Sequence, residues 1–341
     1  MPTGYVFDEI FAKHNLPGHP ENAQRTMAVM NYLTSNDILP ELTDVSSRPA
    51  TRAELRRCHH PRHIELVEET SRGGGGNLDP DTYTNEFSFD AAAHAAGGLI
   101  DLVATVLDGS LDNGFALVRP PGHHATYSRA MGFCLFGNVA VAARAARFDK
   151  GLERVAIIDF DVHHGNGTQA ILDEDPSVLF VSSHQYPYYP GTGALNEIGR
   201  GEAKGTKVNL PLTPYVGDEG FRQLYSEVVF PILRRFQPEL ILVSAGFDAH
   251  WDDPLASLGL SLTGYHWLAK SLVDLAAELC GGRIVFTLEG GYNLGVLAPG
   301  VGNVFRALMG DDQIDDPLGP LSWPEPDVSG LLAELKTIHN L

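Results

Sequence analysis

Cysteine, basic side chains and long hydrophobic runs are all scarce in this chain. The three cysteines are Cys58, Cys134 and Cys280. An odd number without ligand spacing excludes a disulfide framework and a cysteine-based zinc site, and points to a reducing compartment. Lys and Arg total 24 against 43 Asp and Glu, a formal charge of −19. Nucleic-acid binding needs clustered basic side chains to neutralise phosphates, so no nucleic-acid partner is expected. The acidic balance would suit a cationic substrate or product, or simply serve solubility. Residues 1–11 lack a basic stretch followed by an apolar core, and no apolar run is expected to be long enough to cross a bilayer. The expectation is therefore a cytoplasmic protein with no membrane partner. No Gly-x-Ser-x-Gly elbow is present to set up a covalent serine nucleophile.

What the chain does have is an ordinary hydrophobic fraction, 43% beside 20% charged residues, enough for a substantial core. No composition break marks a boundary, so a single domain over 1–341 is expected, with 311–341 as a C-terminal wrap whose first half is acidic and proline-rich. Apolar runs at 115–118, 155–158, 178–181, 240–243 and 284–288 read as buried strands. Between most of them, 89–107, 137–148, 218–236 and 263–279 carry Ala, Leu and Val at helical spacing. This alternation predicts an α/β fold, a parallel sheet with helices on both faces. In such sheets ligands bind beyond the carboxyl ends of the strands, and each run here is followed by polar or glycine-rich sequence. The glycines at 73–76 with Asp79-Pro80-Asp81 mark a flexible loop, read as a surface connection or as a rim loop whose Asp79 or Asp81 contacts substrate.

The second run gives way to Asp159-Phe160-Asp161-Val162-His163-His164-Gly165-Asn166-Gly167. On a continuing strand, alternation would point Asp159, Asp161 and His163 the same way. Burying such a cluster without a cation would cost roughly several kcal/mol, so a divalent metal is the natural partner. Asp248, after another run, is the candidate third ligand, and oxygen and nitrogen donors suit zinc or a similar first-row ion with one position left for water. His123 and His124 follow Pro120-Pro121-Gly122 and would move protons beside that water. His59 and His60 have no strand end or carboxylate nearby and read as surface or packing. Tyr292 follows Gly290-Gly291 and offers a phenol to an oxyanion. Ser182 and Ser183 lack triad context. Metal-assisted addition of water to an amide or ester carbonyl is the economical reading.

Four segments, Arg119-Pro120-Pro121-Gly122-His123-His124-Ala125, the 159–167 run above, Ala245-Gly246-Phe247-Asp248 and Glu289-Gly290-Gly291-Tyr292, resemble the zinc-dependent histone deacetylase family, which also holds bacterial acetylpolyamine amidohydrolases and acetoin-utilisation-type proteins. The match begins near Gly18-His19-Pro20-Glu21-Asn22 and covers most of the chain. The resemblance implies an arginase-like α/β fold with a central eight-stranded parallel sheet. It implies zinc, or ferrous iron in vivo, on Asp161, His163 and Asp248, and a structural potassium among Asp159, Asp161, His163, Ser182 and Ser183. His124 would be general base and acid, His123 its electrostatic partner, Asp159 the group orienting His123, and Tyr292 the oxyanion donor. Gly132 and Phe133 would form the acyl-lysine channel with Tyr189 as the facing wall. Asn166 stands where some members have Asp, a class II-like feature that weakens the bias on His124. Leu255 stands where a polyamine-selective branch carries Glu.

The activity so implied is removal of acetyl or other acyl groups from lysine side chains of a peptide or protein, with an acetylated polyamine or other small acetylated amine as the alternative substrate, and a homo-oligomer is compatible with it. An arginase-type ureohydrolase is a remote alternative, because Gly165 and His250 stand where the carboxylates for a second metal would be expected. A non-catalytic binding module would predict loss of His123, His124 or Tyr292, and all are present.

Overall fold

Runs of β-branched and aromatic residues, apolar on both faces, favour strands covered on two sides. The computed structural model, which describes residues 2–341, contains β1 (Thr3–Val6), β2 (Thr43–Asp44), β3 (Gly76–Asp79), β4 (Thr82–Thr84), β5 (Asn113–Ala116), β6 (Val155–Asp159), β7 (Val178–Gln185), β8 (Lys207–Leu212), β9 (Leu240–Ala245) and β10 (Ile284–Leu288). Eight of these form one sheet in the order β2-β1-β5-β10-β9-β6-β7-β8, parallel throughout. This is the eight-stranded parallel sheet that the resemblance implied. The five apolar runs all became strands, and these five are neighbours at its centre.

Alternation along the strands divides the core in two. Ala156, Ile158, Ile241, Val243, Ile284 and Phe286 face one cluster, beneath helices Leu262–Cys280 and Leu294–Met309. Val155, Ile157, Leu240, Leu242 and Val285 face the other, beneath Ser88–Leu107 and Asn138–Lys150. At about 1.5–3 kcal/mol for each large apolar side chain buried, these layers hold the carboxyl ends of the central strands side by side.

Several expectations need correction. The helix Ser88–Leu107 is, at 20 residues, long and apolar enough to cross a membrane, but 67% of its apolar window is buried inside the protein. It is a core helix, and Gly97 lets segment 48–50 lie against it: a Cβ there would come within 2.0 Å of the Arg48 carbonyl oxygen. Within the glycine-rich 73–81 stretch, 76–79 form β3 of an antiparallel hairpin with β4, and the remaining residues are turn or irregular. The stretch 218–236 is helical throughout but contains a π-helical turn, Tyr225–Val229, just before Pro231, whose missing N–H the wider turn accommodates. Strand β6 ends at Asp159, so Asp161 and His163 lie in the turn beyond it, not on the strand.

Strands β1, β2 and β8 had no apolar run to announce them. In β8 the inward positions include Lys207, whose Nζ donates to the Val178 carbonyl (2.8 Å), and Asn209, whose Nδ2 donates to Gln169 Oε1 (2.8 Å). Pro211 is tolerated because β8 is an edge strand. After Met309 the chain has no helix or strand until Ser329–His339. Glu325 ties this segment back by accepting from the amides of Gly217 and Gly220, each at 2.9 Å.

Candidate active site

The turns after β6, β9 and β10 meet above the sheet. Asp161 and His163 come from the first, Asp248 from the second, and their ligand atoms lie within 4.8 Å of one another. His163 Nδ1 is 3.2 Å from Asp161 Oδ1 and 3.3 Å from Asp248 Oδ2. Backbone amides orient both carboxylates: Asp161 Oδ2 accepts from Gly290 (2.8 Å) and Asp248 Oδ1 from Val162 (3.0 Å). Asp248 Oδ2 is buried and has no hydrogen-bond partner. Glycine is required around the cluster, since a Cβ on Gly290 would sit 2.1 Å from Asp248 Oδ2 and one on Gly246 2.2 Å from Asp161 Oδ2. Two buried carboxylates, one imidazole and an orphaned oxygen make a donor set that fits a divalent cation.

Beside this cluster, Glu289 Oε2 accepts from the amides of Gly122 (2.7 Å) and His123 (3.2 Å), fixing the turn after β5. His123 Nδ1 lies 3.0 Å from Asp159 Oδ2, and His124 Nδ1 lies 2.7 Å from Asn166 Oδ1. Asn166 Nδ2 points to the Met131 sulfur (3.5 Å). With Oδ1 as the acceptor in this amide orientation, His124 Nδ1 would carry the proton and Nε2 would be left as a base. Burial alone would depress both imidazoles. For His123 the carboxylates of Asp161, Asp159 and Glu289 outweigh it and raise its pKa well above the usual value. His124 stays well below, held there by burial and by the neighbouring charges of His123 and His163.

A channel of about 270 Å³ leads to this floor, lined by Asp81, His124, Gly132, Phe133, His163, Tyr188, Tyr189, Leu255 and Tyr292. Tyr189 stands edge-on to His124 at 5.2 Å, and Phe133 edge-on to Tyr292 at 5.9 Å. Gly132, at φ +55, leaves room for the His124 ring, which a Cβ would meet at 2.3 Å. A larger polar cavity of about 400 Å³, lined by His164, Asn166, Gln169 and Glu197 among others, contains none of the three clustered donors. Its size does not make it the site.

The expected residues thus gather at one place, the two serines beside Asp159, whose carbonyl lies 3.5 Å from Ser183 Oγ. Ser182 pairs across the sheet with Asp159, but its hydroxyl is engaged by His184 Nδ1 (3.0 Å) and that of Ser183 by Tyr225 OH (2.9 Å). His59 is a packing residue, bonded to the Thr126 carbonyl and the Gly137 amide, both at 2.9 Å. Of Asp79 and Asp81, only Asp81 lines the channel; Asp79 pairs with Arg129 at 2.5 Å. Pattern reading passed over Tyr188, Arg25 and Asp253. Tyr188 was signalled only by adjacency to Tyr189, Asp253 only by an Asp-Pro turn, and Arg25 by nothing local.

A family profile described as histone deacetylase domain matches residues 19–308. Histone deacetylase 14, chloroplastic, of Arabidopsis thaliana is 42% identical over 349 residues, spanning 96% of this chain and 82% of that protein. A probable deacetylase of Archaeoglobus fulgidus is 38% identical, spanning 100% of this chain and 96% of its own. The crystal structure of the HDA15 HD domain superposes with a TM-score of 0.91 at 37% identity, covering 99% of this chain and 96% of that one.

Proposed function

This chain belongs to the histone deacetylase family and has its arginase-like fold, and on that footing we propose that it is a zinc-dependent amidohydrolase that removes acetyl groups from lysine side chains. The observation that carries the reading is the set Asp161, His163 and Asp248 at the floor of an aromatic channel, with the His124 imidazole beside it, 2.7 Å from Asn166 Oδ1 through Nδ1. Zinc held by these three residues would supply Lewis-acid polarisation of the acyl carbonyl and acidify water.

The remaining chemistry belongs to the chain. Phe133 and Tyr189 hold the aliphatic stem of the acylated side chain and exclude water around it. His124 Nε2 takes a proton from water as its oxygen adds to the carbonyl carbon, and delivers that proton to the departing amine nitrogen as the C–N bond breaks. Asn166 keeps the His124 ring oriented through Nδ1, and Asp159 does the same for His123, whose positive charge stabilises the developing negative charge. The Tyr292 hydroxyl donates a hydrogen bond to the carbonyl oxygen as it becomes an oxyanion. Acetate and a free amine leave. A structural potassium near Asp159, Ser182 and Ser183 belongs to the same proposal, as does a cytoplasmic location.

Leu255 gives the rim an apolar residue, which favours a lysine stem over a polyamine carrying a distant ammonium. Acetate release from an acetyl-lysine peptide tests the reading: Tyr292→Phe is expected to lower kcat about 10²–10³-fold and His124→Ala about 10²–10⁴-fold. Unchanged turnover in both removes the mechanism. Preference for free acetylated polyamines over the peptide would reverse the substrate assignment.

A further inference from the structure

Tyr292 follows two glycines, the second at φ +116, a backbone conformation that other residues rarely adopt. Two buried groups hold the backbone around it, one through carbonyls and one through amides. Arg25 grips the carbonyls, donating Nη2 to Glu289 (2.5 Å) and Nε to Gly291 (2.8 Å), with its guanidinium 5.1 Å from the Tyr292 ring centroid. Asp253, 7% exposed, grips the amides. Its Oδ2 accepts from Tyr292 N at 2.7 Å and Asn293 N at 3.3 Å, while its Oδ1 accepts from Leu255 N at 2.9 Å. The Leu255 carbonyl in turn accepts from Tyr188 OH at 2.7 Å. One carboxylate therefore ties together three residues that line the channel, Tyr292 and Leu255 directly and Tyr188 through Leu255.

We infer that Asp253 is a positioning residue for the reaction, its two oxygens setting the Tyr292 phenol and the Leu255 wall in one fixed relation. The inference rests on the reading of Tyr292 as oxyanion donor. A carboxylate suits the task because both oxygens accept. An asparagine would offer one acceptor and turn its NH₂ toward the other amide N–H, breaking one of the two links without changing the side chain's volume.

A double-mutant cycle of Asp253→Asn with Tyr292→Phe tests it, using acetyl-lysine peptide turnover per bound zinc, with melting temperature measured alongside. With Tyr292 present, Asp253→Asn should lower kcat about ten- to a hundredfold, with a smaller change in KM. On top of Tyr292→Phe it should cost no more than about twofold, because the group it positions is already gone. A kcat left intact by Asp253→Asn overturns the inference. So does an equal loss with and without Tyr292→Phe, which would make Asp253 a support of the fold only. Full turnover by Tyr292→Phe alone is a different result: it removes the reading of Tyr292 itself. Should the Asn protein not fold, Asp253→Ser, a smaller acceptor for one amide, runs the same cycle with the same outcomes.

Discussion

Two buried charge clusters within this fold differ in whether their carboxylate oxygens all find partners. Around Glu21, Arg119 supplies two bonds (2.5 and 2.8 Å) and Arg25 a third contact at 3.3 Å. Burial would raise the Glu21 pKa, but the Arg119 guanidinium holds it down at about 2. That cluster closes on itself. Around Asp161, His163 and Asp248 there are two carboxylates, one imidazole and an oxygen without a partner. Burial and the Asp161 charge push the Asp248 pKa up. A buried carboxylate with both oxygens taken by guanidinium donors is scaffold, whereas a carboxylate pair with an unpartnered oxygen is a place for a cation.

The sharpest way to separate the two is to remove one carboxylate from each. Asp248→Ala should lower deacetylase turnover about a thousandfold or more, since several kcal/mol of Lewis-acid stabilisation go with the metal. In metal-free protein the same change should shift the melting temperature far less than loss of Glu21 does, because relief of the Asp161 repulsion offsets the lost acceptor of the Val162 amide. Glu21→Ala should cost stability outright: two buried guanidiniums lose their shared acceptor, and urea titration should register a loss of about 3–5 kcal/mol. Equal destabilisation by the two changes would erase the distinction drawn here.

Acid gives a smaller effect with a definite sign. Burial lowers His14 and His59 from 6.5 to about 3 in the folded protein. Between those values the unfolded chain binds protons that the folded chain does not, so stability is intact above about pH 6.5 and falls as the pH drops. Each of these groups contributes about 1.4 kcal/mol per pH unit within that window. Glu21, lowered from 4.5 to about 2, adds a loss of the same sign below pH 4.5. Chemical denaturation between pH 7 and pH 5 should show declining stability, and His59→Gln should flatten the decline. A stability rising toward pH 5 would contradict both assignments.

Much of the site was legible because its residues directly follow pure apolar runs. Val155 to Ile158 announce a central strand, and whatever comes next must stand at its carboxyl end. Asp161 and His163 meet the strand-alternation expectation although β6 ends at Asp159, because the turn returns them to the same region. The edge strands were not legible: β8 places Lys207 and Asn209 inside and answers them with carbonyls and amides from other elements. Glu21, Arg25 and Asp253 were hidden for a related reason. They act on backbone atoms or charges far along the chain, Arg25 on Glu289 and Gly291 among them, and no local pattern records such partners.

The proposed activity requires that Asp161, His163 and Asp248 hold a divalent ion on which deacetylation depends. Its most direct test is turnover of an acetyl-lysine peptide by folded protein stripped of metal with a strong chelator, before and after one equivalent of zinc or ferrous ion is returned. Activity should vanish on stripping and return with the ion in wild type but not in Asp248→Ala. Full turnover by protein shown by elemental analysis to be metal-free would contradict it.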